Sequence, residues 1–134
     1  MDRPHTLHAR SSDDRATIDY DPQAGLVIVA YRGEVTQDSL VKAHEALVTL
    51  MAGGTITGVV IDSSAVEARY TPAELIEALE VCLNTTRPKR CAMVLGAGSH
   101  EDALMLVETV CFNHGTTARA FDGLDDARVW ARDG

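Results

Sequence analysis

The chain has 134 residues, 46% hydrophobic and 24% charged, which is room for one domain with one core. Twelve Lys+Arg against twenty Asp+Glu leave a net charge of −8, which repels nucleic acid and anionic membrane and makes neither an expected partner. One Trp, three Tyr and two Phe are too few for a base-stacking platform.

Residues 1–15 are polar and carry His5, His8, Ser11, Ser12, Asp13 and Asp14, with little that packs. This segment reads as a flexible tail, with the folded domain over 16–134. It lacks the apolar centre of a signal peptide, and no run in the chain approaches the roughly 20 apolar residues that span a bilayer. Cys82, Cys91 and Cys111 are odd in number and sit in apolar stretches. They read as small core hydrophobes of a reduced compartment, so the expected location is cytoplasmic.

Ala16–Tyr20 alternates polar and apolar, as a half-buried strand does. Asp21-Pro22-Gln23-Ala24-Gly25 is turn chemistry, and Leu26–Tyr31 is β-branched and aromatic, so the two strands form a hairpin. Thr36 caps a helix whose Leu40, Ala43, His44, Leu47 and Met51 share one face, and Gly53-Gly54 ends it.

Val59-Val60-Ile61-Asp62 lacks alternation, the mark of a central strand buried on both faces. A polar loop is expected from Ser63 to Tyr70. Thr71-Pro72-Ala73-Glu74 is a strong helix start, and Arg87-Pro88 marks where that helix has ended. Cys91–Leu95 is a second unalternating strand, closed by Gly96-Ala97-Gly98. Ser99 is the expected cap of the next helix, which buries Ala103, Leu106, Val107 and Val110. Thr117–Phe121 makes a last strand, and Asp122–Arg132 a last helix with Ala127, Trp130 and Ala131 inward.

The order ββαβαβαβα predicts an α/β domain: a mixed, mostly parallel five-stranded sheet with about four helices on both faces or mainly one. Val59–Asp62 and Cys91–Leu95 should be adjacent and interior, and Ala16–Tyr20 at or near an edge.

The hairpin with Gly33-Glu34-Val35-Thr36, the strands Val59–Ser64 and Arg90–Val94, and Arg119-Ala120-Phe121 followed by Ala127-Arg128-Val129-Trp130 together resemble the STAS-like superfamily. This is the fold of bacterial anti-sigma-factor antagonists, and the closest likeness is to an uncharacterised branch that shares its fold with CRAL-TRIO lipid carriers. The resemblance spans residues 16–132. It implies a non-catalytic regulatory or binding module, or a carrier of a small apolar ligand. The family's regulators carry a phosphorylatable Ser at the start of the second helix. Here Asp62-Ser63-Ser64 falls earlier, and Thr71 is the hydroxyl nearest that switch position, with Pro72 beside it.

Ligands of open parallel sheets bind beyond the carboxyl ends of the strands. The segments 62–71 and 96–100 lie there and lead into helix N-termini. They gather Asp62, Ser63, Ser64, Tyr70, Thr71, Ser99 and His100 as the candidate binding or switch set, suited to an anionic or polar group. Gly96-x-Gly98 lacks the third glycine of a dinucleotide fingerprint, and no metal, nucleophile-elbow or phosphate-loop motif is present. No catalytic residue, cofactor or metal is therefore expected, and an enzyme of unknown reaction is the third reading after the regulatory module and the carrier. Met105 and Phe112 lie seven apart on the polar face of their helix. They are the candidate interface of a weak homodimer, or of a contact with a protein partner.

Overall fold

A computed structural model describes residues 9–12, 15–51, 54–97 and 102–133. Among these residues six strands and four helices follow one another as β1 (Ala9–Ser12), β2 (Ala16–Asp21), β3 (Leu26–Val35), α1 (Gln37–Met51), β4 (Gly58–Ala68), α2 (Pro72–Thr86), β5 (Arg90–Leu95), α3 (Ala103–Asn113), β6 (Thr117–Phe121) and α4 (Leu124–Arg132). The strands form one sheet in sequence order, antiparallel from β1 to β3 and parallel from β3 to β6.

The five strands read from the sequence are all present in the expected order. A sixth, Ala9–Ser12, extends the sheet along β2 within the segment that reads as tail. Its composition carries no strand signal; pairing with an antiparallel neighbour makes it one. β4 and β5 are adjacent interior strands, and β2 lies one strand in from the β1 edge.

Three right-handed crossovers that all advance in one direction leave their helices on the same face. α1, α2 and α3 form that layer. α1 packs on β2 and β3 through Ala43 and Leu47 against Ile18, Tyr20, Val27 and Val29. α2 and α3 pack on β5 through Leu79, Leu83, Val107 and Val110 against Cys91 and Met93. α4 takes the opposite face. Its Ala127 and Ala131, both fully buried, lie on Val60, Ala92 and Val94.

Helix starts follow local chemistry. Thr71 accepts from the Glu74 N–H at 3.2 Å while its own N–H donates to Glu74 Oε1 at 2.8 Å, a complete capping box. At α1 the Ser39 N–H donates to Thr36 Oγ1 at 3.3 Å, and the Thr36 N–H donates to Ser39 Oγ at 3.2 Å. α3 starts at Ala103 with Asp102 as its first flanking residue. The expected cap Ser99 lies outside the described residues.

The polar stretch after Asp62 corrects the sequence reading: it is strand, not loop. β4 continues through Ser63 and Ser64 to Ala68, paired with β3 as far as Val35. One extra residue enters β4 between the pairs Ala30–Asp62 and Arg32–Ala65. This bulge reverses the side-chain parity, so Val59, Ile61 and Ser63 face the helix layer before it, and Val66 and Ala68 after it. Asp62 Oδ1 accepts from the Ser64 N–H at 3.0 Å and from its hydroxyl at 2.7 Å, which closes the bulge locally. Alternation counted along the sequence breaks at the extra residue, and the break imitates a loop.

Candidate functional site

The carboxyl ends of β3, β4 and β5 meet the helix layer around a pocket of about 70 Å³. Its walls are apolar, among them Val35, Ile61, Val66, Leu79, Met93 and Val107, with Ser63, Tyr31, Tyr70 and Cys82 also contributing. Ser63 is 8% exposed and reaches the pocket only because it precedes the bulge. Burial raises the Tyr70 phenol above its ordinary value, so it stays neutral at physiological pH. Burial likewise raises the Cys82 thiol, against the hydrogen bond from Thr86.

The two segments singled out from the sequence do converge. Ser63 pairs with Leu95 in register, and Gly96 lies against the Ser64 backbone, where a Cβ would stand 2.8 Å from the Ser64 carbonyl carbon. Their side chains separate, however. Ser63 and Tyr70 enter the pocket. Asp62 and Ser64 bond to each other. Thr71 is exposed and occupied in its capping box. Ser99 and His100 lie outside the described residues. Sequence reasoning missed Tyr31, Leu75, Cys82 and Met93 as pocket walls, since they carry no signal beyond their apolar stripes.

Other candidates resolve into structural roles. Arg69 bridges Glu67 at 2.8 Å and Glu34 at 3.4 Å. Those two carboxylates lie directly opposite each other in the β3–β4 register, so Arg69 offsets a like-charge pair, and its exposure keeps the gain to about 0–1 kcal/mol. The Cys91 thiol, held beside Cys111, is raised by their hydrogen bond and then by burial, as befits an inert core thiol. His114 Nδ1 lies 2.9 Å from the Val110 carbonyl. Among the described residues no three His, Cys, Asp or Glu are placed to hold a metal ion, and no helix is long and apolar enough to cross a membrane.

His44 is different. It lines a groove between α1 and α2 with Val41, Glu77 and Val81, and its Nδ1 is buried without a hydrogen-bond partner among the described residues. Desolvation lowers its pKa, with the Glu45 charge opposing. The folded-state value therefore lies below the unfolded value of about 6.5. The unfolded chain takes up the proton first, so the stability His44 contributes is whole above that pH and falls as pH drops through it. Urea midpoints between pH 7 and pH 5.5 should fall more for the wild type than for His44→Gln. Identical falls would show that His44 does not contribute.

No family model and no curated protein matches the chain. A solved structure does: an uncharacterised protein of the DUF3478 family with a SpoIIAA-like fold, from Shewanella loihica PV-4. The two share 18% identity over 98% of each chain, with a TM-score of 0.58. The fold is SpoIIAA-like, that is, STAS-like. Identity at this level speaks for the fold and not for the site. Within the SpoIIAA-like fold, what this chain places at its strand ends is a small apolar pocket between the sheet and the helix layer, with Ser63 and Tyr70 in its wall.

Proposed function

We propose that the chain is a non-catalytic binding or regulatory module that works through a protein partner or a second copy of itself, with α3 as the contact face. The observation that carries this reading is the exposure of Phe112 at 82% and Met105 at 59% on one line of α3. Large apolar groups this open, aligned on a helix that already buries Val107, Val110 and Cys111 on its other side, are features of an interface. A net charge of −8 opposes self-association, so a homodimer through this face is weak and tightens with added salt.

The second reading is a carrier of a small apolar ligand, and the pocket between α2 and the sheet favours it. Size limits the ligand. The pocket of about 70 Å³ is less than half the roughly 150 Å³ of a cavity that takes up benzene. A lipid chain would require α2 to move off the sheet.

Native mass spectrometry combined with sedimentation separates the two readings. A dimer in the wild type that dissociates in Phe112→Glu supports the contact face. A monomer that retains a small apolar adduct supports the carrier. Wild type and Phe112→Glu both remaining bare monomers at high concentration and high salt would reject self-association.

A further inference from the structure

The face of the sheet that carries α4 is only partly covered. Beside α4, at the β6 edge, lies an open groove of about 490 Å³, seven times the pocket above and within the range that takes small-molecule ligands. Four side chains form a ladder across it. Arg119 stacks on Phe121 with its guanidinium carbon 5.0 Å from the ring centroid. Phe121 and Trp130 lie 5.5 Å apart with their planes at 47°. Arg90 stacks on Trp130 at 4.8 Å. The local sequence makes this possible. Arg119 and Phe121 are two apart on β6 and so share a face, and Arg90 on β5 pairs with Thr117 and reaches the same face.

The two arginines have different duties. Arg90 Nη1 donates to the Trp130 carbonyl at 2.7 Å, which satisfies the last turn of α4 and fixes the indole. Arg119 is exposed, and among the described residues its guanidinium touches no carboxylate. A cation stacked on a ring at an exposed position adds little to stability, so the fold does not depend on it. Of the acidic groups at the rim, Asp133 is paired with Arg132 at 3.3 Å, and Asp126 sits in the first turn of α4. Among the described residues the groove therefore keeps one cationic fork without a salt-bridge partner, beside two half-open aromatic rings, in a chain that is acidic elsewhere.

We infer that this groove binds a planar aromatic monoanion, an aromatic carboxylate, whose ring packs against Phe121 and Trp130 and whose carboxylate takes the Arg119 fork. A guanidinium meets a carboxylate with two parallel N–H donors, which fixes orientation as well as affinity. Asp126 and the net charge of −8 count against polyphosphates. The groove over β2 and β3 is of similar size, but Asp19 and Asp21 line it and no aromatic does, so it lacks this chemistry.

Trp130 is the single tryptophan, so its indole N–H is one resolved NMR signal that reports on this groove alone. The full chain is titrated with phenylacetate, with its neutral isostere phenylacetamide, and with ATP. Phenylacetate is expected to shift the Trp130 signal saturably, and the amide amides around the pocket between α2 and the sheet are expected to stay still. Binding should weaken about tenfold or more for phenylacetamide and for Arg119→Gln. No saturable shift by about 20 mM phenylacetate overturns the inference. So does Arg119→Gln binding as well as wild type, and so does ATP binding at least as tightly as phenylacetate, which would mean undirected attraction of anions.

Discussion

Gly58→Val is expected to destabilise the protein by about 3 kcal/mol, lowering the melting temperature by about 10 °C. Gly58 opens β4 on the face where α4 lies. A Cβ there would overlap the Ala131 carbonyl oxygen, with the carbonyl carbon at 2.8 Å and the Ala131 Cβ at 3.2 Å. Two of these atoms are backbone, so no rotamer change relieves the overlap. α4 must lift, and with it go the burial of Ala127 and Ala131 and the Arg90–Trp130 hydrogen bond. Total stabilities of natural domains are only about 5–15 kcal/mol, so the loss is a large share. Urea denaturation measures it, and Trp130 emission, red-shifted in the native state, shows that α4 is what moved. An unchanged midpoint would mean that α4 is not seated on β4 as described.

Leu79→Ala is expected to cost about 3 kcal/mol and to turn the small pocket into a ligand-sized one. Leu79 is 6% exposed, lines the pocket and packs with Leu83 and Val107 between α2, α3 and β5. Removing its branched end joins new empty space to the existing 70 Å³ and brings it toward the roughly 150 Å³ at which an apolar cavity takes up benzene. Benzene should then raise the denaturation midpoint of Leu79→Ala and leave the wild type unchanged. A variant that loses stability without rescue by benzene would show α2 collapsing onto β5, and the pocket would not be a rigid feature. The neighbouring Val81→Ala, at a position 49% exposed, should change the midpoint little.

Much of the fold was legible because its signals are local. The unalternating runs Val59–Asp62 and Cys91–Leu95 belong to strands buried on both faces, and they are the adjacent interior strands β4 and β5. Thr71 and Glu74 form the capping box that their spacing of three residues implies. Met105 and Phe112, set apart from the core stripe by helical spacing, are exposed. The candidate site was legible only as a region. The segments at the ends of β4 and β5 meet, but among the described residues read there only Ser63 and Tyr70 enter the pocket.

The residue order by itself determined the α/β class, the succession of elements, the starts of α1 and α2 and the two central strands. These depend on periodicity and capping among residues within one or two turns of each other. Tertiary structure decided the rest. The sixth strand exists because β2 offers residues 9–12 a partner edge. The length of β4 depends on β3 continuing beside it to Val35, and its bulge decides which of Ser63 and Ser64 faces the helices. The ladder from Arg119 to Arg90 joins β6, α4 and β5 through contacts up to 40 residues apart. Such choices rest on non-local pairing, whose partners no window of neighbouring residues contains.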